Sequence, residues 1–245
     1  MSRASGYSLW FGGVSSETMN VSLISFDAIP HAEMKAKALD IPGRSGYLMT
    51  TDPAYKPITI KATMRLTKTA DRAAVSAWLS GQGELRWGKV PTYMWKATVQ
   101  KGYDFKPYLP GQYMLDEFSV QFLCQPFHYI WPQTTITSPA NNAKITNSGT
   151  IEAEPLIQIT GSGNITIGFR DYSASAGDIS ENILTVTGLS GSITIDTEAR
   201  LAYDGTTNLT SLLSGDWPII GTGDQKFLRT GTFTALTIQP NWRCI

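Results

Sequence analysis

Catalytic chemistry in this sequence would rest on very few residues. The chain of 245 residues contains only two histidines and two cysteines. Cys124 and His128 lie close together in Cys124-Gln125-Pro126-Phe127-His128, a thiol and an imidazole that can be imagined as nucleophile and base. At a strand end, however, their Cβ directions need not converge, and no third group to orient the imidazole is evident. His31 follows Pro30 ahead of a lysine-rich stretch. There is no Gly-x-Ser-x-Gly elbow for a serine hydrolase. No Cys/His grouping has zinc spacing, and Asp204-Gly205-Thr206-Thr207-Asn208 lacks the acidic ladder of a calcium loop. Gly161-Ser162-Gly163 lies between two apolar runs and reads as a hairpin turn rather than a phosphate cradle. Acidic residues are scattered, with no pair spaced for glycoside hydrolysis. The expectation is a protein that is not an enzyme, with no catalytic, cofactor-binding or metal-binding residues.

Binding chemistry offers more. Trp217, Tyr203 and Asp204 are the residue types that a lectin-like sandwich uses, an aromatic ring to stack on sugar and a carboxylate for its hydroxyls. The competing reading makes these aromatics core or turn residues, because a Trp buries so much area. Lys35, Lys37, Arg44, Lys56, Lys61, Arg65 and Lys68 are basic but interleaved with apolar and polar residues, without a groove-binding motif. The net charge of +0 gives no global field toward nucleic acid or anionic lipid, so neither is expected as a partner. No apolar run approaches the roughly 18 residues of a membrane span. Leu9-Trp10-Phe11 before Gly12-Gly13 is too short for a signal-peptide core, which points to a chain made in a cytoplasm. Cys124, inside an alternating apolar run, reads as a small hydrophobe, and Cys244 as a second reduced thiol.

The elements that would position these residues are mainly strands. Residues 1–132 carry 14 Lys+Arg and 10 Asp+Glu, whereas residues 133–245 carry 6 and 10. Texture changes at the same place, where Pro126, Pro132 and Pro139 punctuate a stretch rich in Thr, Ser and Asn. We therefore expect two domains, 1–132 and 133–245. In the first, Val21–Phe26 and Ile58–Met64 are short and β-branched, Tyr93–Tyr103 is a long aromatic segment, and 117–125 alternates Phe118, Val120, Phe122 and Cys124 with polar residues. Val75, Trp78 and Leu79 form one apolar stripe, which predicts a helix near 71–80 with Thr69 as its cap and Asp71 in its first turn. One helix on an antiparallel sheet or sandwich makes this half α+β. The second half reads as an all-β sandwich of short strands, Leu156–Ile159, Ile165–Phe169, Ile183–Val186, Ile193–Ile195, Phe227–Leu228 and Phe233–Ile238, separated by glycine-rich turns.

Taken in order, these segments resemble a known family. Phe11-Gly12, Val21 and Leu23, Ile41-Pro42-Gly43-Arg44-Ser45-Gly46, the strand at Ile58–Met64, Ala77-Trp78-Leu79, Tyr93–Val99 and Phe122–Tyr129 are similar to the N-terminal domain of the distal tail proteins of long-tailed siphophages. Asn147-Ser148-Gly149, Pro155–Gly161, Ile193–Asp196, Ser214–Pro218 and Ile238–Arg243 look like that family's C-terminal sandwich, which is galectin-like or carbohydrate-module-like. The resemblance covers nearly the whole chain. It implies a virion structural protein at the distal end of the tail, self-associated into a hexameric ring. One face of that ring would meet the major tail protein and the other a tail-associated hub or fibre protein. A carbohydrate-binding adhesion protein that recognises the host surface is the alternative.

Within that resemblance, Pro42 and the two glycines around Arg44 make a sharp excursion. It presents Arg44 to a subunit contact or the ring lumen, or else it is a plain turn with a solvated arginine. The loop Lys106–Gly111, with Tyr103, Phe105 and Tyr108, is either an arm that embraces a neighbouring subunit or a flap over its own sheet.

Overall fold

The computed structural model describes residues 8–43, 45–67, 70–100, 102–105, 116–174 and 182–245, with side chains throughout except at 51–53. It is mainly β, with antiparallel pairing and one α-helix. Two compact units divide the chain, one running through His128 and including Ile245, the other Tyr129–Cys244.

The first unit contains β1 (Leu9–Phe11), β2 (Val14–Ser15), β3 (Val21–Phe26), β4 (Met34–Asp40), β5 (Tyr47–Tyr55), β6 (Ile58–Leu66), α1 (Arg72–Trp78), β7 (Gln82–Trp87), β8 (Tyr93–Val99) and β9 (Glu117–Cys124). One sheet runs in the order β2-β1-β7-β8-β9-β6-β3. Its outermost strands, β2 and β3, are consecutive in the chain and joined only through residues 16–20. There the Val21 amide donates to the Ser16 carbonyl at 2.8 Å, and the Ser16 amide to Leu9 at 2.7 Å. A link that short between opposite edges requires the sheet to curl round on itself. Curling brings Phe11 of β1 against Phe122 of β9, with ring centres 5.3 Å apart, although β7 and β8 separate those strands in the sheet. The core is lined by the strand faces that alternation marks: Phe118, Val120, Phe122 and Cys124 from β9, and Ile58, Ile60, Ala62, Met64 and Leu66 from β6.

Helix α1 caps this core with Val75 and Leu79, and its Trp78 Nε1–H donates to the Phe11 carbonyl at 2.9 Å. Its N-cap is Asp71 rather than a first-turn residue. The Asp71 carboxylate accepts from the amides of Ala73 at 2.9 Å and Ala74 at 3.4 Å, which satisfies donors that the first turn leaves free. Thr69, the expected cap, lies outside the described residues.

The second unit holds β10 (His128–Ile130), which opens at the boundary, then β11 (Ile136–Thr137), β12 (Lys144–Asn147), β13 (Leu156–Asp171), β14 (Asn182–Asp196), β15 (Leu201–Asp204), β16 (Thr207–Asn208), β17 (Leu213–Gly215), β18 (Gly223–Gln239) and β19 (Arg243–Cys244). Strands β11 to β18 form one sheet in the order β11-β18-β13-β14-β15-β16, with β12 also on β18 and β17 also on β14, whereas β10 pairs with β19.

Here the structure corrects the expected turns. Gly161-Ser162-Gly163 is no hairpin turn, because β13 continues straight through it with β14 on one side and β18 on the other. The runs expected as separate strands are the two halves of single long strands. A straight 16-residue strand such as β13 would span about 50 Å, whereas a domain of this size is about 35 Å across. The ribbon must therefore fold over, and it does so at one level. Register shifts fall between Gly163 and Ile165 against β14, and at Thr160/Gly161 and Ser162/Thr166 against β18. Ile157 and Ile159 before the bend join Ile165, Ile167 and Phe169 after it in one core. Glycine is demanded there by close backbone approach. A Cβ on Gly161 would stand 2.3 Å from the Thr232 carbonyl oxygen, and one on Gly231 would stand 2.6 Å from that of Asn164.

Asn147, only 6% exposed at the end of β12, ties the bent sheet to the segment that leads into β18. Its Nδ2 donates to the carbonyls of Ile151 at 2.9 Å, Gly221 at 3.0 Å and Ile220 at 3.3 Å, while its Oδ1 accepts from the Gly149 amide at 2.7 Å. Truncation removes all four bonds at once and takes this partner from the part-buried Gly149 amide and the Ile151 and Gly221 carbonyls. Asn147→Ala is expected to destabilise the second unit by about 3 kcal/mol, read as a lowered denaturant midpoint with an unchanged slope. A shift within about 0.5 kcal/mol, the size of an ordinary surface substitution, would contradict this account.

Candidate assembly interface

Strands β4 and β5 pair only with each other, outside the main sheet. Their formation follows from sequence: Lys35-Ala36-Lys37-Ala38-Leu39 has period 2, and Pro42-Gly43 ends the first strand. Gly43 and Gly46 have φ of 78° and 85°, a backbone region that costs glycine little, and they reverse the chain at the tip. Pairing sets Ala38 opposite Met49, Leu39 opposite Leu48 and Asp40 opposite Tyr47. One face thus carries Ala36, Ala38, Tyr47 and Met49, and the other Lys35, Lys37, Leu39, Leu48 and Thr50.

Neither face is covered. Every described residue from Glu33 to Thr50 is exposed. Among the described residues, eleven large hydrophobic side chains are exposed, and six of them are Met34, Leu39, Ile41, Tyr47, Leu48 and Met49. Tyr47 reaches 57% and Met49 53%. At the base, Lys56 Nζ meets the Glu33 carboxylate at 2.9 Å and holds that carboxyl below its ordinary range. Both partners are solvated, so the pair adds little stability. A two-stranded ribbon with no buried face is marginal in water, and concentrated exposed apolar side chains mark an interaction surface. The hairpin is therefore the candidate interaction surface of the first unit.

The residues singled out in the sequence fall in different places. Arg44 and Tyr108 lie outside the described residues. Tyr103 and Phe105 pack on their own sheet, with ring centres 5.4 Å and 5.0 Å from Phe118. Burial pushes the Tyr103 phenol up, partly offset by a hydrogen bond with Ser76 of α1. Trp217 packs against the second core. Tyr203 and the exposed Asp204 sit where β15 turns into β16. Register sets Tyr203 opposite Thr194, near one end of β14, and Gly215, just before Trp217, opposite Leu184 near the other end. The expected carbohydrate residues thus lie on separate stretches of the sheet. The exposed Leu39, Leu48 and Met49 were not singled out from sequence, although the Lys-Ala alternation beside Pro-Gly was a usable signal.

Both histidines border one cleft of 180 Å³, walled by Trp95, Ile58, Pro126 and Ile245. His128 lies against Tyr93, with ring centres 4.1 Å apart, and burial lowers its pKa. Cys124 is 1% exposed, and burial alone pushes its thiol up to about 12. A thiol raised in this way is not an activated nucleophile. Among the described residues, no three His, Cys, Asp or Glu side chains gather as metal ligands, and no helix is long and apolar enough to cross a membrane.

A curled antiparallel sheet with one helix and an exposed two-stranded hairpin, followed by a second unit of long bent strands, defines a two-unit β protein. No protein-family model and no curated protein matches the chain. Among solved structures it is similar to the Dit protein (gp 19.1) of SPP1, described as a paradigm of the hub adsorption apparatus in phages that infect Gram-positive bacteria. The TM-score is 0.67 at 12% identity, covering 95% of this chain and 98% of that one. The likeness extends over both units and is one of fold.

The buried thiol makes stability depend on alkaline pH. The folded pKa of Cys124 lies above its ordinary value of 9.0, so the stabilisation is fully present below pH 9 and is lost as pH rises toward about 12. Between pH 8 and pH 10.5 the first unit is expected to lose about 2 kcal/mol from this group. Cys124→Ala removes that increment if the assignment is right. An identical pH dependence in wild type and variant would show that other groups produce it.

Proposed function

We propose that this protein is a structural, non-enzymatic component of the tail tip of a long-tailed, non-contractile phage. In this reading, copies of the chain associate into a closed ring that joins the tail tube to the baseplate or fibre hub. The observation that carries it is the β4–β5 arm, where every described residue from Glu33 to Thr50 is exposed and apolar side chains stand on both faces. A copy that offers such an arm to a different surface of the next copy makes a heterologous contact, and repetition about one axis closes it into a ring. Six subunits is the number implied by the resemblance to distal tail proteins. The fold likeness to an SPP1 hub protein supports the same place in a virion. The partners would be the major tail protein on one face and a hub or fibre protein on the other. A subunit of this kind needs interfaces and no active site.

The arm supplies the test. In a monomer, the amides of Met34–Asp40 and Tyr47–Tyr55 are expected to exchange with solvent far faster than those of Ile58–Leu66, since local stability follows buried apolar contact. In the assembled oligomer, the same amides become protected. Leu39→Asp with Leu48→Asp is expected to hold the chain monomeric by native mass spectrometry while leaving its melting temperature unchanged. Antibody labelling of phage particles should mark the distal end of the tail. An oligomer that survives both substitutions, or label elsewhere on the particle, would defeat the proposal.

A further inference from the structure

The second unit is acidic, with six Lys and Arg against ten Asp and Glu, yet three of its six cations stand in one row. Lys144 on β12 lies directly opposite Lys226 on β18, and Lys226 directly opposite Arg170 on β13. Like charges opposed across a ladder destabilise a sheet. An acidic domain has ample room to disperse its few cations, and this one brings them together. Arg170 is only 7% exposed, so solvent screens its field less than that of a surface lysine.

An aromatic ring stands beside the row. Tyr172, just past β13, is 44% exposed and donates its amide to the Asp224 carbonyl at 3.0 Å. The ammonium groups of Lys144 and Lys226 lie 5.4 Å and 5.1 Å from the centre of its ring, close enough for cation–π attraction. The Asp224 carboxylate meets Lys144 at 2.6 Å and accepts from the Thr146 hydroxyl at 2.7 Å. These contacts raise the Lys144 pKa and lower that of Asp224, fixing both as charged. Cations, a positioned carboxylate, a hydroxyl and a half-exposed aromatic ring therefore share one surface.

We propose that this surface binds an anionic polysaccharide. A sugar ring lies against Tyr172, its acidic substituent meets Lys226 with the charge of the buried Arg170 behind it, and its hydroxyls donate to Asp224. Acidic peptides and nucleic acid fit less well. A polyanion with a charge on every unit meets Asp224 and Asp171 as repulsion and makes little use of carboxylate acceptors. A glycan, with many hydroxyls and fewer charges, uses the cations, the carboxylate and the ring together. Every residue involved belongs to the second unit, so the inference stands apart from ring assembly.

The test is affinity electrophoresis of the full chain through gels containing a carboxylated, a sulfated or a phosphodiester-linked polysaccharide, beside neutral dextran. At least one anionic polymer is expected to retard the protein while dextran does not, and added salt should weaken the effect. Tyr172→Ala and Lys226→Glu are each expected to weaken binding about tenfold or more, the scale of one charged hydrogen bond. Both positions lie on an exposed face, and an unchanged melting curve verifies the fold of each variant. No retardation by any of the three polymers overturns the proposal. So does retardation insensitive to Tyr172→Ala, or equal binding of polyglutamate or single-stranded DNA, because each reduces the surface to a charge effect.

Discussion

Most of this protein depends on one requirement: a sheet with one apolar face must fold so that the face meets itself. A flat antiparallel sheet satisfies its backbone hydrogen bonds but leaves that face in water. The first unit solves the problem with connectivity. Edge strands Val14–Ser15 and Val21–Phe26 are separated by only a few residues, so the sheet closes and Phe11 is driven onto Phe122. The second unit solves it with bending. Three long strands fold at a common level, and glycines at 161 and 231 let backbones approach where no side chain fits.

The β4–β5 hairpin is the exception that gives the requirement its functional meaning. Its strands pair in unbroken register from Ala36 to Asp40, with one irregularity between Met34 and Ala36, yet every described residue from Glu33 to Thr50 is exposed. Elsewhere in the first unit, apolar side chains at alternate positions are buried almost completely. Here Leu39, Leu48 and Met49 stand in solvent. Ordering such a ribbon without burial is unfavourable on its own, since fixing each residue costs about 1–2 kcal/mol of backbone entropy. Under the proposed assembly, a second molecule would supply the missing apolar contact, and ordering of the arm would be coupled to binding.

Polar groups divide between holding the fold and facing outward. Asn147 directs both ends of its side-chain amide to neighbouring backbone, which explains an asparagine where the strand ends. Cys124 and His128, the nearest thing to a reactive pair, sit in apolar surroundings that keep the thiol protonated and the imidazole neutral. The polar side chains with chemistry to offer lie on the outer face of the second unit around Tyr172. No alternation pattern marks them, because outward positions carry no burial signal. Only the pairing of Lys144, Lys226 and Arg170 on three separate strands brings them together.

The sequence by itself determined the parts governed by local periodicity. Phe118, Val120, Phe122 and Cys124 had to face a core together, Val75 and Leu79 had to share a helix face, and the chain had to be mainly β. Gly43 and Gly46 announced a reversal that only positive φ allows. Tertiary structure alone decided what each glycine-rich break does. Gly161-Ser162-Gly163 looks like a turn in sequence, and only strands hydrogen-bonded on both sides make it a bend within one strand. It also decided which alternating segments find a partner layer. The Lys-Ala alternation of β4 and the Phe-Val alternation of β9 are both strand signals, and periodicity records which side chains share a face. Whether anything covers that face depends on residues far away in the chain: β9 is covered, and the described residues of β4 are exposed.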